Sequence, residues 1–209
     1  LELFEDGRRQ EIRYFSRGLA SDVKTVPLHL GLLLDVSGSM DKDATLVKTA
    51  VIKFLNTITY AEDMTLVDFD TEVRVGRYGQ ADFPRLVERI RSRHSTGGLT
   101  ALYDALGVYL DGAFERDGRK VLLLYTDGDD TRSRMPLADT MDLIKASDVT
   151  IYVIGFQKNL RSRVRATRRL RLEQLAELTG GIAVVNRNNF EDALQQIDAE
   201  TSELTLIEP

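Results

Sequence analysis

Five short runs of almost uninterrupted apolar residues limit what this chain can fold into. A strand that is buried on both faces reads as a continuous apolar run, whereas a half-exposed strand alternates. The runs therefore predict strands covered on both sides. They are LHLGLLL at 28–34, MTLVDF at 64–69, VLLLY at 121–125, VTIYVI at 149–154 and IAVV at 182–185.

Helical patterns lie between these runs, because apolar residues recur there every three or four positions. The predicted helices cover Leu46–Ile58, Leu102–Ala113, Met135–Ala146 with Pro136 in its first turn, Leu172–Leu178 and Phe190–Ile197. Val73–Tyr78 alternates apolar and polar residues, which predicts an edge strand that forms a hairpin with the run at 64–69. Strands that alternate with helices predict an α/β, doubly wound, Rossmann-like fold. Its sheet is mostly parallel with one antiparallel edge strand, and helices cover both faces.

The chain divides into three parts by composition and pattern. We expect residues 1–26 to form an N-terminal arm or hairpin that pairs with a preceding region or packs across the domain edge. Residues 27–200 form the α/β domain, and 201–209 a C-terminal tail. Because the chain lacks an initiator Met, we interpret it as part of a longer protein.

Charge and composition exclude several classes of function. No apolar stretch approaches the length that spans a membrane, and the absence of cysteine excludes a disulfide scaffold. A net charge of −5 argues against a general nucleic-acid or anionic-membrane binder. Six arginines nevertheless fall between Arg161 and Arg171 without an acid. They predict either a solvated surface with ion pairs or a docking patch for an acidic partner.

Polar loops follow the predicted strands where an open parallel sheet places its ligands, at the carboxyl ends of its strands. These loops are 35–39 (DVSGS) and 126–130 (TDGDD), and His94–Thr100 leads into a helix at the same edge. Asp35 and Asp127 would be like charges in one layer, and such a pair requires a proton or a metal. Ser37, Ser39 and Thr100 add hard oxygen atoms, so we predict Mg²⁺, with Mn²⁺ or Ca²⁺ as alternatives.

We infer that such a site binds acids. Few direct carboxylates leave the metal electrophilic, so that an acidic residue or a C-terminal carboxylate of a partner protein can complete its coordination. We expect Met40, Asp129, Arg165 and Arg168 to contact that partner. The function predicted is that of a metal-dependent protein-binding or adhesion module without enzymatic activity.

Three motifs in order resemble the von Willebrand factor type A (VWA) domain and its metal-ion-dependent adhesion site, with the bacterial branch as the nearest match. They are LLDVSGSM at 33–40, TALYDAL at 100–106 and YTDGDDT at 125–131. The resemblance implies that Ser37, Ser39 and Thr100 ligate the cation, while Asp35 and Asp127 accept hydrogen bonds from hydroxyls or water. Because the glycine-rich motif is one residue longer here, Thr96 is an alternative to Thr100. The resemblance also implies a secreted or cell-envelope location in a bacterium.

The alternative function is a Mg²⁺-dependent phosphatase or phosphotransferase that uses Asp68 and Asp70. These residues end a predicted strand with the Asp-x-Asp spacing of haloacid dehalogenase-type enzymes. Glu72 stands where that pattern expects Thr or Val. Dinucleotide enzymes and serine hydrolases are disfavoured because their glycine-containing motifs are absent.

Overall fold

The computed structural model describes most of the chain. The described residues are 2–11, 14–17, 26–58, 61–94, 98–156, 161–185, 194–195, 197, 199 and 205–208. Their strands are β1 (Leu3–Glu5), β2 (Arg8–Gln10), β3 (Tyr14–Arg17), β4 (Leu28–Asp35), β5 (Asp63–Phe69), β6 (Val73–Gly79), β7 (Arg119–Thr126), β8 (Val149–Gly155), β9 (Ala183–Val185) and β10 (Thr205–Glu208). The α-helices are α1 (Ala44–Thr57), α2 (Phe83–Ser92), α3 (Leu102–Phe114), α4 (Leu137–Ala146) and α5 (Ser162–Glu177). None of these helices is long and apolar enough to cross a membrane.

Six strands form one sheet in the order β6-β5-β4-β7-β8-β9. Only β5 and β6 pair antiparallel within it, and the other pairs are parallel. The predicted doubly wound sheet with one antiparallel edge strand is therefore confirmed. Along the chain, β5 is added on one side of β4 and β7 on the other. The carboxyl ends of β4 and β7 thus lie at the point where the strand order reverses, which is where such sheets bind ligands.

Helices cover both faces of this sheet, as predicted. One core cluster contains the buried side of α1 and α2, with Leu30, Leu32 and Leu34 of β4. The other contains α3, α4 and α5, with Leu33 of β4 and Leu122 and Leu124 of β7. Alternate residues of β4 therefore enter opposite cores, which explains why all of its positions are buried and most of them are apolar.

Several helix boundaries differ from the predictions, and the start of α5 differs most. Helix α5 begins at Ser162, ten residues before the first residue we predicted, because its first turns are rich in arginine rather than apolar residues. Arginine is a good helix former, but it leaves no apolar period. Pro136 lies at the N-cap of α4, one position before its first turn. Of the predicted helix Phe190–Ile197, only 194, 195 and 197 are among the described residues, and all three are helical.

The terminal segments form two further small sheets. β1 and β2 pair antiparallel around a turn at Asp6 and Gly7, both of which have the positive φ that a tight hairpin turn requires. β3 pairs antiparallel with β10, so the beginning and the end of the chain are joined by backbone hydrogen bonds. The three-part division of the chain stays a prediction.

Candidate functional site

The loop after β4 places two serine hydroxyls beside a buried carboxylate. Ser37 donates twice to Asp35 Oδ1, from its backbone N at 3.0 Å and from its Oγ at 2.6 Å. Both residues are buried. Ser39 is exposed, and its Oγ lies 3.1 Å from that of Ser37. The two hydroxyls therefore meet at one point between the protein interior and the solvent.

The second oxygen of Asp35 is held by a residue that the sequence analysis missed. Thr126, the last residue of β7, donates its hydroxyl to Asp35 Oδ2 at 2.7 Å. The Thr126 hydroxyl in turn accepts the backbone N–H of Gly128 at 3.1 Å. The available signal was a hydroxyl residue directly before Asp127, at the end of the strand beside β4. This contact joins the two loops that carry the predicted aspartates.

Burial makes the ionised form of Asp35 costly. Loss of solvent is the largest effect and raises the pKa of Asp35 to about 6, while the hydrogen bonds from Ser37 and Thr126 lower it and the charge of Asp127 raises it further. A raised carboxyl pKa means that the negative charge is poorly compensated by its surroundings. A cation near Asp35 would supply that compensation.

Asp127 is also buried, and it has a cationic partner within the protein. Its Oδ1 accepts the backbone N–H of Asp129 at 2.9 Å. Its Oδ2 accepts Arg168 Nη1 of α5 at 3.0 Å, and Arg168 Nη2 lies 2.6 Å from Asp129 Oδ2. Only 16% of the Arg168 side chain is exposed. The Arg168 guanidinium group is therefore bound to two carboxylates of this chain, and its expected contact with a partner stays a prediction.

Thr100 lies at the entry to α3 and is buried. Its N–H donates to Thr131 Oγ1 at 3.0 Å, and its carbonyl accepts the N–H groups of Thr131 and Arg132. These bonds tie Thr100 to the segment that follows Asp127. The alternative ligand, Thr96, lies outside the described residues.

Two of the other expected partner contacts differ in exposure. Met40 is only 2% exposed and packs in the core with α1, so an expected contact between its side chain and a partner is corrected. Arg165 is half-buried in the first half of α5. Within the arginine-rich stretch, Arg161 and Arg163 are exposed and Arg169 pairs with Glu173 at 2.7 Å. The stretch thus combines internal ion pairs with solvated charge.

The aspartates of the alternative enzyme function lie in a different environment. Asp68 is 1% exposed and bound by three arginines: Arg74 at 2.9 Å, Arg89 at 2.6 Å and Arg93 at 2.8 Å. Asp70 is equally buried and pairs with Arg74 at 2.9 Å. Both Asp68 oxygens are occupied by guanidinium groups, so the geometry does not favour Asp68 as a metal-bound nucleophile.

The donor set at the carboxyl edge fits a hard divalent cation. The carboxylates of Asp35 and Asp127 and the hydroxyls of Ser37 and Ser39 lie at this edge, and Thr100 is bound to the segment that follows Asp127. Mg²⁺ prefers such oxygen ligands. Among the described residues, no group of three or more His, Asp or Glu side chains is arranged to hold a metal.

Comparison with models of known protein families identifies the family of this chain. A family model described as von Willebrand factor type A domain matches residues 29–200, which is most of the chain. No curated protein sequence matches significantly.

Several solved structures share the fold at low sequence identity. A von Willebrand factor type A protein from Catenulispora acidiphila is 20% identical with a TM-score of 0.68, over 97% of this chain and 52% of that one. The pilus adhesin SpaC from Lactobacillus rhamnosus GG, in an open conformation, is 16% identical with a TM-score of 0.68, over 86% of this chain and 30% of that one. Manganese-loaded Plasmodium vivax TRAP protein is 16% identical with a TM-score of 0.66, over 93% and 79%. The chain thus spans only about half of the first of these proteins and a third of the second.

Proposed function

Because the chain belongs to the von Willebrand factor type A domain family, we propose that it is a divalent-metal-dependent protein-binding module that captures a partner carboxylate. This function requires no chemical step, so we also propose that the domain is not an enzyme. The phosphatase alternative has no supporting observation, since Asp68 is enclosed by arginines.

One observation carries the proposal: a buried, poorly compensated carboxylate lies beside two converging hydroxyls. Asp35 is 5% exposed, and the hydroxyls of Ser37 and Ser39 lie 3.1 Å apart next to it. A purely structural aspartate at a strand end would need only its hydrogen bonds. Ser39 is exposed and the charge of Asp127 is close to Asp35, and both features suit a cation that is open to solvent.

Each residue has a defined part in this proposal. The hydroxyls of Ser37, Ser39 and Thr100 would ligate the cation, while Asp35 and Asp127 accept hydrogen bonds from hydroxyls or bound water. Mg²⁺, or alternatively Mn²⁺ or Ca²⁺, would supply an electrophilic position for an incoming carboxylate oxygen. Because Ser37 Oγ donates its proton to Asp35, it accepts from Ser39 Oγ, and its second lone pair remains available to a metal.

The proposed partner is a protein that presents an acidic residue or a C-terminal carboxylate. Arg165 and Asp129 at the same edge are proposed to contact the residues around that carboxylate. A pilus adhesin and a manganese-loaded protein among the structures of the same fold support a metal-linked interaction function. By the same likeness, we propose a bacterial cell-envelope or secreted location.

The double variant Asp35→Ala/Ser37→Ala tests the site directly. It removes a carboxylate and a hydroxyl ligand, so Mg²⁺ binding measured by calorimetry should be lost while the circular dichroism spectrum stays that of a folded domain. A matched control is Asp139→Ala/Ser92→Ala, which removes the same groups from exposed positions in α4 and α2. Unchanged Mg²⁺ affinity in the first variant would show that the site is wrongly assigned.

A further inference from the structure

Arg168 connects helix α5 to the loop that carries Asp127. Its two terminal nitrogens reach two different carboxylates, Asp127 at 3.0 Å and Asp129 at 2.6 Å. A planar guanidinium group that bridges two acids fixes both of them more firmly than a single contact would. Because these residues are 41 and 39 positions apart from Arg168, the contact exists only in the folded chain.

The packing around Gly128 holds this contact in place. Gly128 has a φ of +82°, and a Cβ there would lie 3.2 Å from Leu172 and 3.4 Å from the Cβ of Arg168. Leu172 is fully buried one turn after Arg168 on the same helix. The loop that carries Asp127 therefore lies directly against α5. The packing of Leu172 in the core fixes the distance between this loop and the helix.

The Arg168 guanidinium group and a divalent cation would compete for the carboxylate of Asp127. Asp35 and Asp127 are both buried, and the Arg168 guanidinium group already provides a positive charge at Asp127. That positive charge stabilises the ionised forms of Asp127 and Asp129 when no other cation is near. It also repels any divalent cation that approaches Asp127, since like charges a few ångströms apart in a partly buried site interact strongly.

We propose that Arg168 is a tethered internal cation that stabilises the metal-free domain and lowers the affinity of the site for divalent cations. This inference rests on the proposed function, since it concerns the same site. It identifies α5 as the element that regulates metal binding, because a movement of α5 that withdraws Arg168 from Asp127 strengthens the site. Capture of a partner is thereby coupled to the position of this helix.

The variant Arg168→Met tests both halves of the proposal. It keeps most of the aliphatic stem and removes the charge. We expect the metal-free protein to unfold roughly 5–10 °C lower, as breaking a partly buried ion pair implies. We expect Mn²⁺ to bind about tenfold more tightly, measured by calorimetry with Mn²⁺ alone. Arg169→Met is the matched control, because Arg169 is exposed and pairs only with Glu173 among its described contacts; both quantities should stay at the wild-type values.

Arg168→Lys separates charge from geometry. If the charge lowers metal affinity, this variant should bind Mn²⁺ close to the wild-type affinity. Weaker Mn²⁺ binding by Arg168→Met would overturn the inference, since it would make Arg168 a support of the site. If Arg168→Met has the Mn²⁺ affinity and the unfolding temperature of the wild type, the inference is also overturned. The proposed metal site is not contradicted by that result. Absence of Mn²⁺ binding in every variant and the wild type would reject the proposed function and this inference together.

Discussion

Replacing Asp68 with asparagine tests the buried charge cluster beside the candidate site. Asp68 is 1% exposed and accepts contacts from Arg74, Arg89 and Arg93 at 2.6–2.9 Å. The variant keeps the shape of the side chain but leaves three guanidinium groups facing a neutral amide. Arg74 retains Asp70 as a partner, whereas Arg89 and Arg93 form their ion pairs within the described residues with Asp68.

The cost follows from the burial of the partners. Removing one member of a buried ion pair costs about 3–5 kcal/mol. The three arginine side chains are 23–32% exposed and can regain some hydration, which favours the lower end of that range. We expect Asp68→Asn to lower the free energy of unfolding by about 3 kcal/mol, and therefore Tm by roughly 6–12 °C in a domain of this size.

Urea and thermal unfolding followed by circular dichroism measure this effect. The control is Asp82→Asn, which removes a carboxylate from the exposed pair with Arg85, where the two side chains are 44% and 79% exposed. That change should cost at most about 1 kcal/mol. A value for Asp68→Asn within 1 kcal/mol of the wild type would refute the structural interpretation of the cluster. Such a result combined with the loss of a phosphatase activity would revive Asp68 as a nucleophile.

Two further substitutions test single hydrogen-bonding groups by the same unfolding measurements. Ser133 Oγ accepts the N–H groups of Tyr103 and Asp104 at 3.0 Å and so caps α3 from another segment. Ser133→Ala should therefore lower the free energy of unfolding by about 1 kcal/mol. An unchanged free energy of unfolding would mean that water caps the helix equally well. Tyr125 is fully buried, and its hydroxyl has no hydrogen-bond partner among the described residues. Tyr125→Phe should therefore raise stability by about 1 kcal/mol, and a loss of similar size would reveal a partner for the hydroxyl.

Much of the fold follows from short-range patterns in the chain. Uninterrupted apolar runs marked the central strands, and alternation marked the antiparallel edge strand, because burial on two faces or on one leaves a different local pattern. The chain order of strands and helices then placed the loops of Asp35 and Asp127 at one edge of the sheet. The start of α5 escaped this reasoning, because its exposed arginines carry no apolar period.

The contacts between distant residues could not be obtained in this way. Thr126 holds Asp35 across neighbouring strands, Arg168 holds Asp127 from a helix, and Met40 turns into the core instead of toward a partner. Each outcome depends on which side chains meet after the sheet and helices have packed. Periodicity reports whether a residue is buried, but the identity of its partner is set by the three-dimensional arrangement of elements that lie far apart along the chain.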